Sequence, residues 1–99
     1  MNYEELSQQE LELYRVKNKD YTQGGSPFGN FERVSAILSQ YPKLNLASPQ
    51  VVAMVYMLKQ LDAALWMMSE GYEGKLENIG TRLTDVYVYA KIARLLGGG

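Results

Sequence analysis

The sequence predicts an all-α domain of four helices. The third and fourth form a long antiparallel hairpin, and oligomerisation completes the bundle. Three observations lead there. Apolar residues in the C-terminal half recur at spacings of three and four, the period of a helix face. Ser-Pro pairs and glycines stand where helices would start and stop. Ninety-nine residues, 46% apolar and 21% charged, make one globular domain, yet one too small to cover its own most apolar helix.

The first helix is expected from about Tyr3 to Lys17. Asn2 with Glu5 three residues on resembles a capping box, and Glu4 and Glu5 suit the positive end of the helix dipole. Its apolar stripe (Leu6, Leu13, Val16 and Tyr3) is thin, so it should pack on one side only. The second helix runs from about Pro27 or Asn30 to Gln40, with Ser26-Pro27 as cap and first residue. Phe31, Val34, Leu38 and Tyr41 form its apolar face, and Pro42 stops it. In the connection that follows, Leu44 and Leu46 are expected to tuck onto the bundle.

Ser48-Pro49 opens the third helix, which should reach Ser69 or Glu70. Val51, Met54, Leu58, Leu61, Leu65 and Met68 make one stripe spaced 3-4-3-4-3. Ala53, Met57, Ala64 and Met67 make a second, and Val52, Val55 and Trp66 a third, so the helix is apolar nearly all round. Its length raises the question of a membrane span. Lys59, Gln60 and Asp62 at its centre argue against one, because charges in lipid are costly. A buried central helix shared between copies of the chain is the expectation. Gly71 stops it, and the fourth helix is expected from about Lys75 to Leu96 on Leu76, Ile79, Leu83, Val86, Ala90 and Ala93. The short turn between them implies the hairpin. Residues 97–99, all glycine, read as a flexible tail.

Composition removes several chemistries. With no cysteine and no histidine there are no thiolate ligands, no disulfides and no imidazole base. Chemistry must rest on carboxylates, lysine, tyrosine or a hard cation held by oxygen. Ten basic residues against eleven acidic ones do not suit a nucleic-acid binder. The acidic, polar opening MNYEELSQQE does not read as a signal peptide, and a cytoplasmic location is expected.

Two groups of polar residues stand out. Lys59 and Asp62 are either an i,i+3 ion pair at a helix or subunit boundary, or a cation and carboxylate in a dry groove. Glu77, Thr81, Asp85 and Tyr89 lie at i,i+4 on the fourth helix, on either a solvated or an intersubunit face. If Asp62 and Asp85 converge with Glu77 nearby, they could hold Mg²⁺ through oxygen ligands. The stretch KNKDYTQGGSPFGNFER supplies Lys17, Lys19, Asp20 and Tyr21, then Gly24-Gly25, then Asn30 and Arg33 at a helix start. It is either a plain loop or a binding edge, since backbone amides at a helix N-terminus with flanking cations suit phosphate. Its glycines match neither a Walker A loop nor a dinucleotide fingerprint.

KNKDY, GNFER, MLKQLD and TRLTDVYVY together resemble a family of small bacterial and phage proteins of unassigned function, over about four-fifths of the chain. Some of these are grouped with phage nucleotide-modification systems. In outline they are similar to the MazG-like all-α NTP pyrophosphatases, helical oligomers that use Mg²⁺. The resemblance implies a phage or prophage protein that handles a nucleotide, either as a weak Mg²⁺-dependent pyrophosphohydrolase or by binding alone. Asp62 and Asp85, with Glu77, would hold the metal. Lys17, Lys19, Asn30, Arg33 and Lys59 would contact phosphate or base, beside Asp20 and Tyr21. Two acids of the pyrophosphatase pattern are missing, because Thr81 replaces one and Lys59-x-x-Asp62 replaces an E-x-x-E pair. The alternative is a non-catalytic helical interaction module that works through its oligomeric surface in phage development.

Overall fold

A computed structural model describes residues 2–22, 27–72 and 78–99, with side chains of the first stretch to residue 17. The described residues form four helices and no strand: α1 (Tyr3–Thr22), α2 (Gly29–Leu38), α3 (Pro49–Glu70) and α4 (Ile79–Leu96). The all-α class and the four-helix count agree with the sequence reading.

Asn2 begins α1 as a capping residue. Its Oδ1 accepts from the Glu5 N–H at 2.8 Å, and its Nδ2 donates to the Glu5 carboxylate at 3.4 Å. The helix then runs five residues beyond the expected Lys17, because nothing in NKDYT breaks it before the glycines. The first part of KNKDYTQGGSPFGNFER is therefore helix, not connection. Helix α2 begins at Gly29, between the two expected starts at Pro27 and Asn30. Phe28 is its N-cap, Pro27 lies in the preceding turn, and Glu32 N–H donates to Phe28 O at 2.9 Å. It ends at Leu38 and continues as tight turns, in which Gln40 bonds Ile37 and Tyr41 bonds Leu38. In the following connection, Leu44 and Leu46 stay exposed where the pattern placed them on the bundle.

Ser48 and Pro49 open α3 as expected, with Ser48 extended and Pro49 in the first turn. At the other end Gly71 takes a left-handed φ of 71°, and the Tyr72 N–H donates to Met67 O at 3.0 Å. This is a Schellman closure, which a residue with a Cβ enters only with strain. Helix α4 starts at Ile79, not near Lys75. Asn78, in extended backbone, caps it by accepting from Thr81 N–H at 2.8 Å and from the Thr81 hydroxyl at 3.1 Å. Lys75 and Leu76 lie outside the described residues. The final glycines are bonded to the helix end. Gly98 and Gly99 donate to Leu95 and Arg94 carbonyls, and Arg94 Nε donates to Gly99 O at 2.6 Å.

Contacts between α3 and α4 run in opposite order along the two helices, which makes the hairpin antiparallel. Gln50 meets Ala93, Tyr56 meets Tyr89 and Gln60 meets Arg82. The seam uses the second α3 stripe, in which Ala53, Ala64 and Met67 are buried, with Ala63 beside them and Ala93 opposite. Alanines let the backbones approach closely but bury little area each. One polar pair interrupts them. Arg82, 1% exposed, donates from Nη1 to Gln60 Oε1 at 2.9 Å. On α4 the inward face therefore passes through Arg82, Val86, Tyr89 and Ala93, while Leu83 and Ala90 from the expected stripe are exposed. On α3 the 3-4-3-4-3 stripe includes exposed Met54, Leu65 and Met68. Among the described residues, α3 is the one helix long and apolar enough to cross a membrane. Its central Gln60 and Asp62 are instead bonded to α4 and α2.

Candidate functional site: a cationic, aromatic cleft between three helices

The site is built on Asp62, a carboxylate whose side chain is only 9% exposed. Helix α2 presents Asn30 and Arg33 to it at i,i+3 spacing, which places both on one helix face. Arg33 donates from Nε to Asp62 Oδ1 at 2.7 Å and from Nη2 to Oδ2 at 2.9 Å, a forked, two-point grip. Asn30 Nδ2 adds a bond to Oδ2 at 2.9 Å and makes a long contact of 3.5 Å to the Lys59 carbonyl. The bond from Asp62 raises the pKa of Arg33 above its ordinary value. The charges of Asp62, Glu32 and Tyr72 act in the same direction, against partial desolvation.

One turn beyond Asp62, Trp66 lays its ring under the same guanidinium, 4.5 Å from ring centre to Arg33 Cζ. Gly29 makes room for this arrangement. A Cβ at that position would lie 2.8 Å from Arg33 Nη1. Trp66, Arg33, Asp62 and Asn30 thus form one wall of a cleft of about 230 Å³. Tyr14 and Lys17 reach it from α1, Phe31 from α2, and Lys59 and Ala63 from α3. Among the described residues three cations line it against one carboxylate.

The structure brings Lys17, Asn30, Arg33, Lys59 and Asp62 together in this cleft. The side chains of Lys19, Asp20 and Tyr21 lie outside the described residues, although their backbone continues α1. Of the two readings of Lys59 and Asp62, the structure has both residues lining one cleft, with Asp62 bonded to Arg33 and Asn30 across the helix interface. Asp85 is half-buried on α4, at the level of Leu58 by the hairpin register, about 6 Å of helix rise from Asp62. Glu77 lies outside the described residues. Among the described residues no three acidic side chains gather around a point that could hold a metal. A cation at Asp62 would have to displace Arg33 and Asn30, so this donor set does not fit Mg²⁺ as it stands.

Periodicity missed Tyr14, which belongs to no apolar stripe of α1, and the stacking role of Trp66, which read as a stripe residue. A signal for Trp66 was present: it follows Asp62 by four residues, which puts the two on one face. The long exposed side chain of Tyr14, 55% open, gave no such sign. No protein-family model, curated protein or solved structure matches the chain.

Proposed function

We propose that the cleft between α1, α2 and α3 binds an anionic small molecule with a flat ring, and that a nucleotide is the class it suits best. The observation that supports this is the convergence of Lys17, Arg33 and Lys59 with three aromatic side chains around one cavity. Its volume is below the roughly 300–1,000 Å³ of sites that enclose a whole drug-sized ligand. A single ring system fits, with sugar and phosphates left at the rim. Phe31, 70% exposed, and Tyr14 offer apolar faces to a base. Stacking of this kind is worth about 1–3 kcal/mol per base. Lys17 and Lys59 supply positive charge for phosphate oxygens, while Asp62 holds Arg33 over the Trp66 ring.

This reading stops at binding. Hydrolysis with a metal would need carboxylates to position the ion and activate water, and Asp62 is engaged in orienting Arg33. Mg²⁺ would arrive with the phosphates, as a companion of the ligand.

Trp66 is the only tryptophan in the chain, so its emission reports on this cleft. Titration with ATP, ADP and a deoxynucleotide, with and without Mg²⁺, should change that emission and raise the melting temperature by mass action. Adenosine alone and tripolyphosphate alone should each bind more weakly than ATP. Lys59→Ala should weaken ATP binding on the order of tenfold, the loss of one charge-assisted bond of about 1.5 kcal/mol. No spectral change and no thermal shift at millimolar concentration of any of these nucleotides would refute the proposal.

A further inference from the structure

The 3-4-3-4-3 stripe of α3 is left open at its C-terminal half in one chain, while Val51, Met54 and Leu58 line a shallow groove with Ile37, Leu38, Tyr41 and Leu44. Leu65 is 57% and Met68 64% exposed, Met54 is exposed, and Val51, Leu58 and Leu61 are half-buried. The stripe carries no charge over about 26 Å of helix. The polar residues of the same helix point elsewhere, Asp62 to α2 and Gln60 to α4.

We infer that this stripe is a self-association surface, and that its occupant is α3 of a second copy, crossing antiparallel about a two-fold axis between Leu58 and Leu61. The spacing itself argues for a copy of the same helix. Read from either end it is 3-4-3-4-3, so an antiparallel partner places Val51 over the partner's Met68, Met54 over the partner's Leu65 and Leu58 over the partner's Leu61. A surface that is complementary to itself under a two-fold is what an isologous dimer requires, and spacings of three and four suit helices crossing at a shallow angle.

Area sets the scale of what is missing. A chain of 11.2 kDa that folds alone exposes about 5,700 Å², whereas this one exposes 7195 Å². Its radius of gyration is 15.8 Å, against about 13 Å for a compact chain of this length. The excess of about 1,500 Å² per chain corresponds to some 3,000 Å² buried between two copies, inside the range of roughly 2,000–5,000 Å² found for obligate homodimers. A transient contact would need only about half as much. The α3 stripe supplies the centre of the interface, and the exposed Leu83 and Tyr87 on α4 extend the apolar surface beyond it.

The test is sedimentation equilibrium of the full chain over a range of micromolar concentrations. The expected mass is that of two chains or an even multiple. Leu65→Glu should halve it at equal concentration with the helical circular dichroism retained, because position 65 is open to water in one chain. The absence of cysteine allows a second measurement. A nitroxide on Ser69→Cys, an exposed position next to the stripe, should give an intermolecular distance of about 30 Å for the antiparallel crossing, and this decides the matter if Leu65→Glu does not fold. A single-chain mass throughout, an unchanged mass for folded Leu65→Glu, or a nitroxide distance near half that expected would each overturn the inference. So would a single-chain mass in water together with co-sedimentation on phosphatidylcholine vesicles, which would assign the stripe to a lipid surface.

Discussion

Removing Arg33 tests whether Asp62 is held as the geometry indicates. Among the described residues, Asp62 accepts hydrogen bonds at 2.7, 2.9 and 2.9 Å, and two of the three come from Arg33. Arg33→Ala leaves a carboxylate of 9% side-chain exposure with Asn30 as its partner among the described residues. Stranding a buried charge costs up to 3–5 kcal/mol in a dry interior, but the Arg33 side chain is 39% exposed, so water enters part of the gap. The expected loss is about 2 kcal/mol, including a small term for the stacking on Trp66. In a domain of this size that lowers the melting temperature by about 8–16 °C. Asp62→Ala removes the buried charge together with the pair and should cost less, about 1 kcal/mol. Once Asp62 is gone, removing Arg33 should cost little more, so the double-mutant cycle should show a coupling of about 1–1.5 kcal/mol. Urea unfolding followed by circular dichroism, at one fixed protein concentration, measures all four corners. Additivity to within about 0.3 kcal/mol would show that the two side chains do not stabilise each other, and would remove the frame on which the cleft is built.

Two further outcomes follow from the same site. Gly29→Ala places a methyl 2.8 Å from Arg33 Nη1. It should stabilise the start of α2 as a peptide yet shift Trp66 emission and weaken the Arg33–Asp62 coupling, measured by repeating the cycle in that background; an unchanged coupling would refute the tight approach. The second outcome concerns pH. The Arg33 pKa is raised in the fold, chiefly by its bond to Asp62, so the stability it contributes is fully present below its ordinary value and is lost only as pH climbs through the raised one. With no histidine or cysteine in the chain, the urea midpoint should be nearly flat from about pH 6 to pH 9. A steep step inside that window would refute it.

Much of the fold was legible because local chemistry decides it. Ser48-Pro49 and Gly71 bound α3 as their backbone preferences require. The boundaries that moved did so where two signals competed. Ser26-Pro27 looked like a helix start, but α2 begins at Gly29, where Arg33 can fold back over a missing side chain. At α4, Asn78 with Thr81 made a cap that outweighed the apolar period running back to Leu76. The site was legible only as a residue set. Lys17, Asn30, Arg33, Lys59 and Asp62 could be named in advance, but which cation takes Asp62 could not, since pairing between helices depends on packing that no spacing along one helix encodes.

The division of α3 into faces decides which of its apolar stripes a single chain buries. The heaviest stripe, rich in Leu and Met, would bury the most area. Within one chain, however, the hairpin closes on the alanine stripe, because small side chains let α4 come near enough for Arg82 to bond Gln60. Such a seam releases little apolar surface, and the largest fully buried side chains are Arg82 and Met67. A hairpin held this way leaves its most hydrophobic face as the largest remaining source of stabilisation. Self-association on that face would therefore strengthen the fold by mass action. The cleft, built on the α1 and α2 side of the same helix, stays available to a ligand in either state. The two surfaces use different residues of α3, so a change at Leu65 should leave Trp66 and its neighbours able to bind.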